Sequence, residues 1–189
     1  MAIHFRASDS KKVPWKNGLG TTLEIATDAR HSGDPWTWRL SIADVVTNAP
    51  FSPFEGCERF IACLDGGMRL VTKTGVVDVP REGPALQFSG DDDTKGELRG
   101  GPCRDLNLIV QRARWQAALE LVRGDAERET HAVTTLLVYV VTGRATVEEH
   151  GGVGYDVGPG ESILLHDHAT TIRTAGVVAI ASMRAIPRA

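Results

Sequence analysis

Residues 14–22, Pro14-Trp15-Lys16-Asn17-Gly18-Leu19-Gly20-Thr21-Thr22, set an indole, an ammonium and a carboxamide beside two glycines. Glycine carries no side chain, so a ligand can come close to the backbone there, and the three side chains offer a planar cover, a cation and an amide. Taken alone, the stretch also reads as an ordinary turn into a strand. A second set lies on alternating segments. In residues 36–45, Trp36, Trp38, Leu40 and Ile42 fall on one face and Thr37, Arg39, Ser41 and Ala43 on the other. In residues 106–110 and the approach to them, Asp105 and Asn107 share the face opposite Leu106 and Leu108. If these polar faces line a barrel interior and Lys16, Asn17 and Arg59 join them, the pocket holds two or three cations with amide and hydroxyl donors. That is the chemistry of a small carboxylate site. The alternative is that Arg39 and Ser41 point to solvent.

Other chemistries have thinner support. His166 and His168 form a His-x-His whose side chains share a face if the segment is a strand, but no third ligand stands nearby and a loop is an equal reading. His131 alone reads as a satisfied or surface histidine. No Gly-x-Ser-x-Gly elbow occurs, and Cys57, Cys63 and Cys103 have no obvious histidine partner. Cys63, inside the apolar run 60–64, reads as a buried structural cysteine. No metal, cofactor or catalytic residue is assigned.

The chain of 189 residues has 42% hydrophobic and 24% charged residues, an ordinary globular composition. Its 21 Lys+Arg against 24 Asp+Glu give a net charge of −3, and its longest acidic block is Asp91-Asp92-Asp93. This argues against nucleic acid or an anionic membrane as partner. An odd count of three cysteines without Cys-x-x-Cys sets a reduced, cytoplasmic location as the expectation. The first twelve residues lack the apolar region of a secretory signal, and no stretch approaches the roughly 20 apolar residues of a membrane helix.

The elements that must position these side chains are short β-prone runs cut by glycine turns. Residues 60–64 end at Asp65-Gly66-Gly67 and resume at 68–72, the pattern of a hairpin whose turn needs positive φ. Further strands are expected at 76–79, 85–88, 106–110, 135–142, 145–148, 162–166 and 177–183, spaced for an antiparallel sandwich or barrel. In 112–124, Trp115, Leu119 and Val122 recur at helical spacing before Gly124, so a short helix is expected between two β halves. The halves, 1–111 and 112–189, share an order of strand, turn, strand, Pro-Gly turn and strand, read here as a duplication against chance similarity. All four Trp and all five Phe lie at or before Trp115, which favours the first half as the site, although a larger core there would give the same bias.

Gly154-Tyr155-Asp156-Val157-Gly158-Pro159-Gly160-Glu161-Ser162 resembles the Pro-Gly turn of a cupin repeat. Laid on that pattern, the metal-ligand slots of the second half read Glu129, His131, Leu136 and Ile163, and those of the first half Ser52, Phe54 and Arg59, from which no metal site can be rebuilt. The 14–22 stretch, together with Trp38-Arg39-Leu40-Ser41-Ile42-Ala43, Pro50-Phe51-Ser52-Pro53-Phe54-Glu55-Gly56, Arg59, Phe88-Ser89-Gly90-Asp91 and residues 98–107, resembles the HutD/Ves family in order and content. Leu19 stands where a third glycine is common in that family, and Glu55-Gly56 replaces its usual Pro-Gly. The resemblance implies an all-β bicupin, two cupin-like barrels in one chain, from a bacterial cytoplasm and associated with histidine utilisation, without an obligatory metal. The leading expectation is a binding protein that senses or regulates a histidine-degradation intermediate, urocanate or a formimino or formyl acid. Its ligand site would comprise Trp15, Lys16, Asn17, Arg39, Ser41, Arg59, Asp105 and Asn107. Asp105 either pairs with Arg39 or Arg59 or accepts an N–H of the ligand. Two rivals stand beside this: a metal-free enzyme with Asp105 as base and Lys16 as electrostatic stabiliser, and an interaction scaffold with a vestigial pocket. Cupin sheets often associate, so a homodimer is left open.

Overall fold

Alternation of apolar and polar side chains is carried through most of the chain as β-strand. The computed structural model describes residues 2–15, 20–29, 31, 34–130, 135–166 and 169–187. Its strands are β1 (Ile3–Phe5), β2 (Lys11–Pro14), β3 (Gly20–Thr27), β4 (Trp38–Val45), β5 (Ala49–Pro50), β6 (Cys57–Asp65), β7 (Met68–Thr72), β8 (Gly75–Val79) and β9 (Leu86–Ser89), followed by β10 (Lys95–Leu98), β11 (Cys103–Gln111), β12 (Trp115–Arg123), β13 (Ala126–Thr130), β14 (Thr135–Glu149), β15 (Gly154–Val157), β16 (Ser162–Leu165) and β17 (Thr170–Ala185). Among the described residues no helix is long and apolar enough to cross a membrane. The contacts divide the chain into two compact units, Lys11–Arg114 and Met1–Ser10 with Trp115–Ala189.

In the unit Lys11–Arg114, a six-stranded antiparallel sheet of order β2-β3-β4-β11-β6-β9 accompanies a four-stranded sheet of order β5-β10-β7-β8. One apolar cluster joins them, drawing Ala43, Val45, Ile61, Cys63, Phe88 and Cys103 from the first and Met68, Leu70 and Val79 from the second. The expected hairpin at 65–67 is instead a corner between sheets. β6 pairs with β11 and β9, whereas β7 pairs with β8 and β10. Gly66 does take positive φ, at 66°. The corner passes so close to the next strand that a Cβ at Gly66 would stand 2.3 Å from the carbonyl oxygen of Pro102.

The other unit holds a seven-stranded sheet built on β14 and β17, with β1-β16-β14-β17-β12 in order and β13 and β15 added to the long strands. Its apolar core cluster includes Leu136, Val138, Val147, Val157, Ile163, Ile172 and Ile180. Three expectations are corrected here. Residues 112–124 hold no helix: β12 is a strand with nine registered pairs to β17. The spacing of Trp115, Leu119 and Val122 suits a helix, but a long neighbouring strand supplies a complete ladder, and tertiary pairing overrides local preference. Residues 135–142 and 145–148 run on as a single strand through Gly143. Finally, β1 pairs with β16, Ile3 opposite Leu164, so the first ten residues belong with the C-terminal half and not with 1–111.

Gly143 and Gly176 face each other where β14 and β17 slip register, and both have positive φ, 77° and 132°. A Cβ at Gly143 would stand 1.8 Å from the carbonyl oxygen of Ala175. Both long strands therefore bend at a point that only glycine can occupy without displacing backbone. Gly143→Ala is expected to destabilise the protein by about 2–4 kcal/mol through strained φ and this clash. Urea denaturation of the two proteins measures the difference; a loss under about 0.5 kcal/mol would show that the bend tolerates a side chain.

Candidate functional site

Strands β4, β11 and β6 lie side by side, and their register sorts the polar residues into three rows on one face. Arg39 is opposite Ile109, which is opposite Arg59; Ser41, Asn107 and Ile61 form the next row; Ala43, Asp105 and Cys63 form the third. Strand alternation leaves the reverse face to Trp38, Leu40, Ile42, Phe60, Ala62, Leu106 and Leu108, all buried. β3 adds Glu24 beside Ser41, and β9 adds Phe88 beside Arg59. Phe88, Ala43, Ile61 and Cys63 on the polar face belong to the cluster between the two sheets. The polar face therefore points inward, and the alternative in which Arg39 and Ser41 face solvent is overturned: Ser41, Arg59, Asp105 and Asn107 are buried and Arg39 is half-buried.

The Arg59 guanidinium is only 4% exposed at the residue level and is held by rings and by polar groups. Its carbon lies 4.8 Å from the ring centre of Phe51, 4.9 Å from Phe88 and 5.3 Å from Phe54. One terminal nitrogen donates to the Ser52 carbonyl at 3.3 Å and the other to Asn107 Oδ1 at 2.8 Å. Asn107 in turn donates from Nδ2 to Asp105 Oδ1. The Arg39 guanidinium lies 5.0 Å from the Trp36 ring centre and 5.3 Å from Phe54, so Phe54 serves both arginines. Aromatic faces attract cations and supply part of what lost water supplied.

Three buried atoms in this group make no hydrogen bond: Arg39 Nε, Arg59 Nε and Asp105 Oδ2. Burial pushes the Arg59 pKa down to about 10, opposed by the charge of Asp105, and also lowers that of Arg39, opposed by Glu24. Both remain cations at neutral pH. Asp105 is pushed up to about 7 by burial, which outweighs the Arg59 charge and the Asn107 hydrogen bond. The site thus combines two partly unsatisfied guanidiniums with a carboxyl that exchanges its proton near neutrality.

Of the residues expected from sequence, Arg39, Ser41, Arg59, Asp105 and Asn107 share the face. Of the two readings of Asp105, the direct pair is not formed with Arg59: Asp105 is linked to it by hydrogen bonds through Asn107. Trp15 donates from Nε1 to Thr22 Oγ1 at 2.8 Å and packs against the edge of the same apolar cluster. A Cβ at Gly20 would stand 2.9 Å from its ring, so this glycine seats the indole. Lys16 and Asn17 lie outside the described residues. Trp36 does not lie on the strand face with Trp38, since β4 begins at Trp38 and Trp36 reaches Arg39 and Phe54. The rings of Trp36, Phe51, Phe54 and Phe88 and the carboxylate of Glu24 were not among the expected site residues. The aromatic excess of the first half and the Pro-Phe-Ser-Pro-Phe run carried that signal. His166 bonds Thr135 Oγ1 through Nδ1 at 3.2 Å, and His168 lies outside the described residues. Leu136 and Ile163, at two of the cupin ligand slots, sit in the apolar core of the C-terminal unit. Among the described residues no group of three His, Cys, Asp or Glu could hold a metal ion.

The HutD family model matches residues 7–181. The chain belongs to the HutD family. An uncharacterized 21.2 kDa protein in the hutC 3′ region of Pseudomonas putida is 41% identical over 138 residues, 70% of each chain. The crystal structure of a conserved protein of unknown function from Pseudomonas aeruginosa PAO1 superposes with a TM-score of 0.86 at 31% identity, covering 97% of this chain and 99% of that one. HutD from Pseudomonas fluorescens SBW25, solved in a formate condition, gives 0.83 at 29% identity over 99% and 100%. At 10% identity, Ylba of Escherichia coli and an oxalate decarboxylase of Lactobacillus farciminis each give 0.70, a likeness of fold alone. This HutD-family protein is thus all-β and cupin-like, and linked to histidine utilisation by its family.

The Asp105 carboxyl gives a pH signature with a definite sign. Below about pH 4 it is protonated folded or unfolded and makes no difference to stability. Between about pH 4 and pH 7 the unfolded chain releases the proton first, so stability falls as pH rises, and the loss is complete above the folded value. Asp105→Asn lacks this term. Relative to the variant, the native protein is expected to lose on the order of 4 kcal/mol from pH 4 to pH 8, measured by denaturant unfolding at each pH. A difference that stays flat would place the Asp105 proton elsewhere.

Proposed function

We propose that this protein is a bicupin, its two units each a cupin-like barrel, that binds a small carboxylate metabolite on the inward face of β4, β11 and β6. The observation that carries the reading is the pair of guanidiniums, each with a buried Nε left without a partner, flanking one row of a walled interior. A buried donor without an acceptor is costly, and an anion between the two would satisfy both. Ser41 and Asn107 add a hydroxyl and an amide in the adjacent row, and Trp36, Phe51, Phe54 and Phe88 form apolar walls suited to a planar ligand. Trp15, packed at the edge of the cluster, would close one side of the cover.

We read the ligand as a histidine-degradation intermediate, urocanate or a formimino or formyl acid, a reading that family membership supports. The protein would act in the bacterial cytoplasm as a sensor or regulator of that pathway. Asp105 favours such a two-ended ligand, because its free Oδ2 can accept an imidazole, formimino or amide N–H when ionised and donate to a carbonyl when protonated. That same atom supports a second reading, in which Asp105 is the base of a metal-free hydrolysis or isomerisation.

A thermal-shift screen of chelator-treated protein against histidine, urocanate, formiminoglutamate, formylglutamate, glutamate and formate tests both. The bound acid is expected to add about 2.7 kcal/mol at 100 Kd. Arg39→Ala, at a half-buried position, is expected to weaken binding about 10- to 100-fold. Product formation from the same acid, followed by NMR and abolished in Asp105→Asn, would move the protein to the enzyme class. Cooperative unfolding untouched by every acid would reduce the pocket to a remnant on an interaction scaffold.

A further inference from the structure

The third row of the inward face ends in sulfur. Cys63 on β6 and Cys103 on β11 bring their Sγ atoms to 3.2 Å, both thiols buried at 0% and 3% exposure. A disulfide bond spans about 2.05 Å, so roughly an ångström of closure separates the two thiols from covalent linkage. The backbone around them is well held. Cys63 is paired with Asp105, two residues from Cys103, and the ladder bulges between Arg104 and Asp105. The corner at Gly66 rests on Pro102 and on the Cα of Cys103, so strand β11 is pinned beside the end of β6. Cys57 lies six residues upstream on β6, roughly 20 Å along the strand, too far to compete for either sulfur.

We propose that Cys63 and Cys103 are a modification site, a dithiol that closes to an internal disulfide on reaction with a small hydroperoxide. One sulfur attacks the peroxide oxygen: an S–O bond forms, the O–O bond breaks, an alcohol or water leaves, and the thiol proton passes to the leaving oxygen. The second sulfur then attacks the first. The S–S bond forms, the S–O bond breaks, and water departs with the second thiol proton. Two thiols are oxidised by two electrons and one peroxide is reduced. The hydrogen bond to the Cys63 sulfur, together with burial, holds the Cys103 thiol well above its usual acidity range, so thiolate is scarce and the reaction with peroxide, which also proceeds through thiolate, is slow. The close burial of both sulfurs excludes bulky disulfide reagents and leaves a small neutral oxidant as the reagent that fits. The cross-link would tie β6, which carries Arg59, to β11, which carries Asp105 and Asn107, across a separation of 40 residues.

The test treats the folded protein with hydrogen peroxide, removes the oxidant with catalase, and alkylates the denatured protein with N-ethylmaleimide before peptide mapping. The expected product is a linked 63–103 peptide pair about 2 Da lighter than the reduced pair, regenerated by dithiothreitol, with Cys57 alkylated. Its thermal midpoint should exceed that of the reduced protein and fall back on reduction. Cys57→Ser should leave the link intact and Cys103→Ser should abolish it; Cys63→Ala serves as the second variant should Cys103→Ser not fold. Sulfinic or sulfonic acid at either cysteine without a linked pair, a link that includes Cys57, or complete alkylation of Cys63 and Cys103 after exposure would each overturn the proposal.

Discussion

A guanidinium taken almost wholly out of water must be surrounded by groups that stand in for its hydration, or the unit that buries it does not hold together. Arg59 meets that demand with three phenyl rings, a carbonyl and the side-chain oxygen of Asn107. Each partner arrives from a different part of the chain: Phe51, Ser52 and Phe54 from the segment after β5, Phe88 from β9, Asn107 from β11. Burying one cation thus specifies how the 51–54 segment lies on the sheet, where β9 pairs, and which way the Asn107 amide is turned. The Asp105 carboxyl follows from the amide, since the nitrogen of Asn107 must point away from Arg59 and toward an acceptor.

The sheet makes this arrangement repeatable along its length. Because β4, β11 and β6 are antiparallel and adjacent, cross-strand rows rather than sequence neighbours form the chemical units. The interior changes from cationic at Arg39 and Arg59, through neutral amide and hydroxyl, to carboxyl and thiol. The reverse face of the same strands is apolar across Trp38, Leu40, Ile42, Phe60, Ala62, Leu106 and Leu108. A one-residue slip in any of the three strands would exchange those faces and bury charge against leucine, so register and site are specified by the same pattern.

Much of this was legible in the alternation of residues 36–45 and 105–110, which assigned Arg39, Ser41, Asp105 and Asn107 to common faces, and in the glycine-punctuated runs that mark an all-β chain. What was not legible depended on distant partners. The 112–124 segment satisfies helical spacing locally, and only β17, more than fifty residues later, makes it a strand. Gly143 reads as a turn until Gly176 is placed opposite it. Phe51, Phe54 and Phe88 were visible as motif residues, but their closure around one guanidinium arises from an irregular segment and an edge strand whose positions no short-range period encodes.

The pairing of β1 with β16 gives the chain a nested order: the unit Lys11–Arg114 is enclosed in sequence between the two parts of the other. A ribosome therefore releases the inner unit complete while the outer one is still missing most of its sheet. Ile3–Phe5 must wait, as an unpaired strand, for the synthesis of Ser162–Leu165 before its ladder can form. The order of assembly is written into the connectivity, with the arginine-lined half able to form first and β1 docked only once β16 has been made.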